Sequence, residues 1–274
     1  MPARALVLTC GRMRRFIPFL KKPPRVAVVR LTGMIAAGRG LSDQSAAPLI
    51  ERAFRARPDA VALVINSPGG SPVQSSLIAA RVRRLAEEKK IPVHAFVEDV
   101  AASGGYWLAC AGDQIWVDDA SILGSIGVIS ASFGFDVLMD RQGVERRVIT
   151  AGKNKSFGDP FRPQMPEDVE RIKALQAPIH QAFIAQVKAR RGARLSPDAD
   201  LFNADIFVGA QAIAVGLADG IGHLVPKMTE IFGAKVQFAV LSPKRGLLSR
   251  FGFGLASDMM GAVEERIAFD RFGV

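Results

Sequence analysis

The chain has 274 residues, 49% of them hydrophobic, with 36 Lys and Arg against 26 Asp and Glu for a formal net charge of +10. That length and apolar content bury a sizeable core, which excludes intrinsic disorder, while two cysteines (Cys10, Cys110) and three scattered histidines (His94, His180, His223) exclude a disulfide framework and offer no metal-ligand spacing. The positive charge points to nucleic acid only if it belongs to the body of the protein, and it does not: residues 1–42 hold nine basic residues and no acid, leaving 27 basic against 26 acidic residues in the rest.

Taken in chain order, residues 1–24 form a basic arm. Within it MRRFIPFLKK, residues 13–22, sets Phe16, Ile17, Phe19 and Leu20 among cations, and Pro18 breaks any helix. The arm reads either as a solvated tail or as a weak interfacial anchor for an anionic membrane surface; Met13 is an alternative start. Its longest apolar stretch, residues 5–10, falls far short of the ~20 residues of a spanning helix. The expected location is therefore cytoplasmic or peripheral on the inner membrane, with no nucleic-acid partner. RVAVVRLT (25–32) predicts a strand, residues 45–57 an amphipathic helix, and AVALVIN (60–66) a strand buried on both faces. Residues 73–89 predict a helix, PVHAFV (92–97) a strand, 101–112 a Gly-rich turn entering an apolar helix, and QIWVD (114–118) another strand. Residues 120–135 carry no charge, but three glycines and four serines in 16 residues predict buried strands and turns and no membrane span. Residues 166–191 predict a long helix with Val169, Ile172, Leu175, Ile179, Phe183 and Val187 on one stripe. A helix-rich part follows from 204 to 232. The tail, 241–274, is too apolar to be free and is expected to pack on a neighbouring subunit or a membrane. Strands alternating with helices indicate an α/β fold, divided as arm (1–24), one main domain (25–240) and C-terminal extension (241–274).

Two Gly-rich turns each follow a predicted strand. In Asn66-Ser67-Pro68-Gly69-Gly70 the paired glycines permit a sharp turn and close approach to backbone N–H groups, which stabilise a developing oxyanion; the alternative is an ordinary strand-to-helix turn. It lacks the Lys-Ser/Thr ending of a phosphate loop. In Ala101-Ala102-Ser103-Gly104-Gly105-Tyr106 a hydroxyl sits among small residues at a helix start, where it is either an exposed nucleophile or a helix cap. None of the histidines is placed to act as its base. A lysine serves if burial makes it neutral, and Lys153 and Lys155 in TAGKNKS (150–156) are candidates, although locally that segment reads as a solvated loop.

Together these residues resemble the signal peptide peptidase A (SppA/SohB-like) family of serine peptidases, peptidase family S49, within the ClpP/crotonase superfamily. The resemblance rests on NSPGG, on ASGGYW at Ser103, on LGSIGVI (123–129) and on Gly-x-x-Lys at Gly152–Lys155, and it runs from about Val26 to about Phe232. It implies a ClpP/crotonase-like fold of repeated strand-strand-helix units with a helical C-terminal part. It implies Ser103 as nucleophile, Lys155 as general base (Lys153 the runner-up), Ser125 orienting the lysine, and the Gly70 and Gly104 N–H groups as oxyanion hole, with Asn66 and Gly69 supporting the turn. The implied activity is hydrolysis of signal-peptide remnants or other apolar, membrane-derived peptides through an acyl-enzyme, in a homo-oligomer and without metal or organic cofactor. Two other readings compete: an inactive ring-forming scaffold or binding protein, and a crotonase-type acyl-CoA enzyme, which needs carboxylates such as Glu98 or Asp99 near the glycine turns. Many family members carry a membrane anchor where this chain has its interrupted basic arm.

Overall fold

The computed structural model describes residues 22–38, 40–242 and 266–273; the predicted basic arm and most of the C-terminal extension lie outside them. The order is β1 (Arg25–Thr32), α1 (Asp43–Arg55), β2 (Ala60–Ser67), α2 (Pro72–Lys89), β3 (Val93–Ala102), α3 (Gly104–Ala109), β4 (Gln114–Val117), β5 (Ile122–Gly124), α4 (Asp136–Arg141), α5 (Pro166–Arg191), β6 (Ile206–Val208), α6 (Ala210–Ala214), β7 (Gly220–Ile221), α7 (Leu224–Phe232) and β8 (Gln237–Leu241).

These strands form one eight-stranded sheet, β6-β5-β3-β2-β1-β8, with β4 beside β3 and β7 beside β4. All pairings are parallel except β5 with β6. The continuous apolar runs follow from burial on both faces. Along β1, Ala27, Val29 and Leu31 face the layer of α1, α2 and α3, packing with Ile50, Phe54, Ile78 and Val82. Val26 and Val28 face the other way, toward Val64, Phe96, Trp116 and Met228 of α7. Helix α1 starts with a reciprocal Ser42/Ser45 capping box, an arrangement that contributes about 1 kcal/mol.

Strand β3 organises the site. Its first half pairs with β4 and its second half, Val100–Ala102, with β5, while its register against β2 shifts between Ile65 and Ser67. The Asn66 side chain braces that irregularity: its amide donates to Asp99 and its oxygen accepts the Val100 N–H at 3.3 Å. Behind the site, Tyr106 is fully buried and its hydroxyl donates to the Leu217 carbonyl at 2.9 Å, tying α3 to the chain before β7. Arg191, 2% exposed, clamps the same region through the Gly216 carbonyl and the Asp219 carboxylate at 2.8 Å each.

Three expectations need adjustment. Within residues 120–135 only Ser121 to Ile126 are buried; from Ile129 to Phe135 they are exposed, because β5 ends at Gly124 and no later strand continues the sheet there. Helix α5 forms over the predicted span, yet only Phe183, Val187 and Arg191 are buried, and Leu175 and Ile179 of its apolar stripe face solvent. The described end of the extension packs on its own chain: Phe269 and Phe272 cover Val100, Ala102 and Ile122.

Candidate active site

The site lies where β2 and β3 end side by side. Ser103 follows β3 directly and holds φ 51°, ψ −120°, a left-handed conformation that costs a non-glycine residue of order 1–3 kcal/mol. It is held there because the Ser103 N–H donates to the Gly124 carbonyl at 2.8 Å and its carbonyl accepts the Trp107 N–H at 3.1 Å. A serine on such a strand-to-helix elbow presents its Oγ clear of the strand. The hydroxyl makes no capping bond to α3, so the structure does not use it as a helix cap.

Pro68–Gly70 stands opposite. Ile35 straps this turn: its N–H donates to the Gly69 carbonyl at 2.8 Å and its carbonyl accepts the Ser71 N–H at 2.7 Å. Gly70 has φ +137°, and a Cβ there would lie 2.1 Å from the Ile35 carbonyl oxygen, so only glycine fits. A Cβ on Gly104 would lie 3.3 Å from the Gly70 nitrogen and 2.4 Å from Ser75 Oγ. The two backbone segments thus approach closely enough for their N–H groups to converge beside Ser103, and neither N–H has an acceptor among the described residues. Ser67 supports the turn from behind, its Oγ donating to the Gly33 carbonyl at 2.7 Å.

Ser103, Gly69 and Gly70 line a cleft of about 490 Å³, and Ser125 joins them. Ser125 is buried, has φ 50°, and is fixed by its N–H to the Asp205 carbonyl at 2.7 Å. Gly104 adjoins Ser103, and Asn66 braces β3 outside the cleft lining. Lys153 and Lys155 are not brought to this place: both sit on an exposed turn, residues 151–158, and neither lines the cleft. Met34, Pro72, Gly127, Val128, Ile129, Ala204, and from the C-terminal segment Ala268, Arg271 and Phe272, complete the lining. Sequence reasoning missed these residues. Gly127, Val128 and Ile129 belong to the LGSIGVI motif, which carried the resemblance without giving them a role, whereas nothing in the chain order points to 268–272.

The remaining titratable candidates are structural. Burial lowers the His94 pKa, and the ring accepts from Trp116 Nε1 at 3.4 Å. His180 meets the Ile126 carbonyl at 3.0 Å, and His223 meets Asp118 at 2.9 Å. Burial pushes the Cys110 thiol up to about 12. Glu98 is engaged by Arg30 at 2.9 Å and Asp99 by Asn66, both lining a different cavity, so neither supplies the carboxylate that an acyl-CoA enzyme needs in this cleft. No group of three or more His, Cys, Asp or Glu among the described residues is arranged to hold a metal ion, and no helix there is long and apolar enough to cross a membrane.

A mostly parallel sheet with a serine elbow after one strand and a paired-glycine turn after its neighbour is a ClpP-like α/β fold. The chain belongs to peptidase family S49, whose profile matches residues 85–231. It is 48% identical over 262 residues to a protein of Brucella melitensis named Na(+)/H(+) antiporter NhaA, covering 93% of this chain and 36% of that protein. It is 31% identical over 210 residues to the chloroplastic serine protease SPPA of Arabidopsis thaliana, covering 73% of this chain and 31% of that one. The chain therefore spans about a third of the length of these two relatives. Among solved structures, a membrane-bound stomatin-specific protease shares the fold with a TM-score of 0.51 at 16% identity, over 82% of this chain and all of that one.

Proposed function

We propose that this chain is a serine endopeptidase in which Ser103 and Lys155 form the dyad, acting on signal-peptide remnants or other apolar peptides. The observation that carries the reading is the strained Ser103 elbow beside two converging backbone N–H groups, with Ser125 in the same cleft. Ser103 Oγ attacks the scissile carbonyl carbon while its proton passes to the neutral Lys155 amine. The carbonyl oxygen becomes an anion held by the Gly70 and Gly104 N–H groups. Collapse breaks the C–N bond, and the ammonium returns the proton to the leaving nitrogen. Water then attacks the acyl-enzyme, giving its proton to Lys155, and the freed Ser103 oxygen recovers one. Ser125 accepts from the ammonium and aims it.

Apolar peptides suit the surroundings. A second groove of about 680 Å³ shares Pro72, Val128 and Ile129 with the Ser103 cleft and continues along Phe133, Leu175 and Ile179.

A lysine works as a base only when another surface strips water from it, and the turn that carries Lys155 is exposed in the single chain. The stretch leading into that turn exposes Ile129, Phe133 and Ile149, the last fully. A second copy of the chain covers this apolar segment and seats Lys155 at a neighbour's Ser103, consistent with a homo-oligomer. The basic arm, residues 1–24, adds peripheral contact with an anionic membrane.

The test is covalent labelling of Ser103 by a fluorophosphonate together with peptide hydrolysis. Ser103→Ala and Lys155→Ala each abolish hydrolysis with the fold intact, and full activity of Ser103→Ala refutes the reading. An equimolar mixture of the two variants recovers about a quarter of wild-type activity if each dyad spans two copies. An inactive mixture places both halves in one chain. Absence of both labelling and hydrolysis in the wild type favours the inactive scaffold instead.

A further inference from the structure

The residues from 266 to 273 form a short helical turn that meets the body of the protein at the nucleophile. Phe269 and Phe272 pack on Val100, Ala102 and Ile122, at the β3 and β5 ends that carry Ser103 and Ser125. Ala268, Arg271 and Phe272 line the same cleft as Ser103. About 490 Å³ stays open with the segment in place, within the 300–1,000 Å³ range typical of ligand sites. The segment is therefore a wall of the cleft and not a plug in it.

That wall carries the cleft's charge. Among the described lining residues Arg271 is the only ionised side chain; the others are Gly, Ala, Pro, Ser, Met, Val, Ile and Phe. Its helical neighbours Arg266 and Asp270 pair with each other at 2.9 Å, and Arg271 has no carboxylate partner among the described residues. Its guanidinium lies 5.6 Å from the centroid of the Phe272 ring, a placement that holds the fork beside an apolar surface. Arg271 is exposed where it lines the cleft; a guanidinium there binds carboxylate by paired charge-assisted hydrogen bonds, with the modest strength of an ion pair in contact with water.

We infer that Arg271 is a specificity residue: the cleft selects peptides that present a carboxylate beside an apolar segment, either an acidic side chain or a free C-terminal carboxylate. This rests on the peptidase reading of the Ser103 cleft and adds to it the chemistry of the preferred substrate. Arg271 meets the bound peptide and takes no part in bond breaking, so its effect falls on KM and leaves kcat nearly unchanged.

The experiment uses the full chain and four matched apolar peptides, with Glu or Gln at one position and a free acid or an amide at the C-terminus. For the wild type, kcat/KM is about 3- to 10-fold higher for the member of a pair that carries the recognised carboxylate, the size of a partly exposed ion pair, and the preference shrinks at high salt. The Glu/Gln pair and the acid/amide pair show which source is read. Arg271→Gln abolishes the preference, and Arg271→Glu turns it toward a Lys-containing peptide. Binding of the same peptides to the Ser103→Ala protein, followed by fluorescence anisotropy, reads recognition without hydrolysis. Equal handling of all four peptides by the wild type, or a preference that survives Arg271→Gln, overturns the proposal while the peptidase reading stands. A carboxylate preference in binding without hydrolysis or Ser103 labelling supports Arg271 and defeats the peptidase reading.

Discussion

Gly104→Ala probes the proposed oxyanion geometry at its tightest point. The added Cβ would stand 2.4 Å from Ser75 Oγ, 3.2 Å from Ile35 Cδ1 and 3.3 Å from the Gly70 nitrogen. The isoleucine methyl yields easily; Ser75 does not, because it is fully buried and its Oγ donates to the Ser71 carbonyl at 2.9 Å. Rotating it away leaves a buried hydroxyl without a partner, at about 1–3 kcal/mol, or a melting-temperature drop of roughly 3–10 °C in a chain of this size. If α3 shifts instead, the Gly104 N–H leaves its place. Either way the methyl crowds the position where the oxyanion forms, and losing one such donor costs on the order of 100- to 1,000-fold in kcat. Adding Ser75→Ala removes the 2.4 Å contact but not the one to Gly70, so the double variant regains most of the lost stability and still falls at least ~10-fold short in kcat. Ser75→Ala alone stays active. Peptide hydrolysis and thermal unfolding of the three variants make the measurement. A Gly104→Ala protein with wild-type kcat/KM refutes the placement of the oxyanion site between Gly70 and Gly104.

Arg191→Leu strips the 2%-exposed guanidinium from Asp219 and from the Gly216 carbonyl; urea unfolding shows a loss of about 3–5 kcal/mol, and Arg191→Leu with Asp219→Leu recovers much of it. Burial raises the Asp219 pKa, but hydrogen bonds from Arg191 and the Ile115 N–H outweigh it, so the net value lies below the ordinary carboxylate range. A folded-state pKa below the unfolded one contributes stability that is fully present above about pH 4 and disappears as pH falls through the lower folded value. Melting temperature therefore declines on acidification below about pH 4, and this contribution is absent in Arg191→Leu. Cys110, fully buried with its thiol pushed up to about 12, resists alkylation at pH 8 in a native Cys10→Ser protein and reacts once urea unfolds it.

Much of the scaffold was legible because each element's periodicity is local. The run 60–66 is apolar without alternation, and β2 is buried on both faces; residues 166–191 repeat at three and four, and α5 spans them. Short strands escaped: β6 and β7 have three and two residues, too few for a period, and their pairing with distant strands decides them. The motif turns were legible for a similar reason. Glycines at 69, 70 and 104 and the serine at 103 reflect backbone conformations and close approaches written residue by residue.

What the sequence determined by itself is the family, the strand-turn-helix units and the residue types able to supply nucleophile, oxyanion donors and base. The tertiary structure decided which of them meet. It joined Ser103, Ser125 and the 69–70 turn in one cleft, left Lys155 on an exposed turn, and brought Arg271 from the far end of the chain to the cleft of Ser103. The physical reason is that turn conformation depends on neighbours in the chain. Convergence depends on parallel strands ending together and on apolar surfaces such as Val100 and Ile122 being covered by whatever segment the fold brings to them.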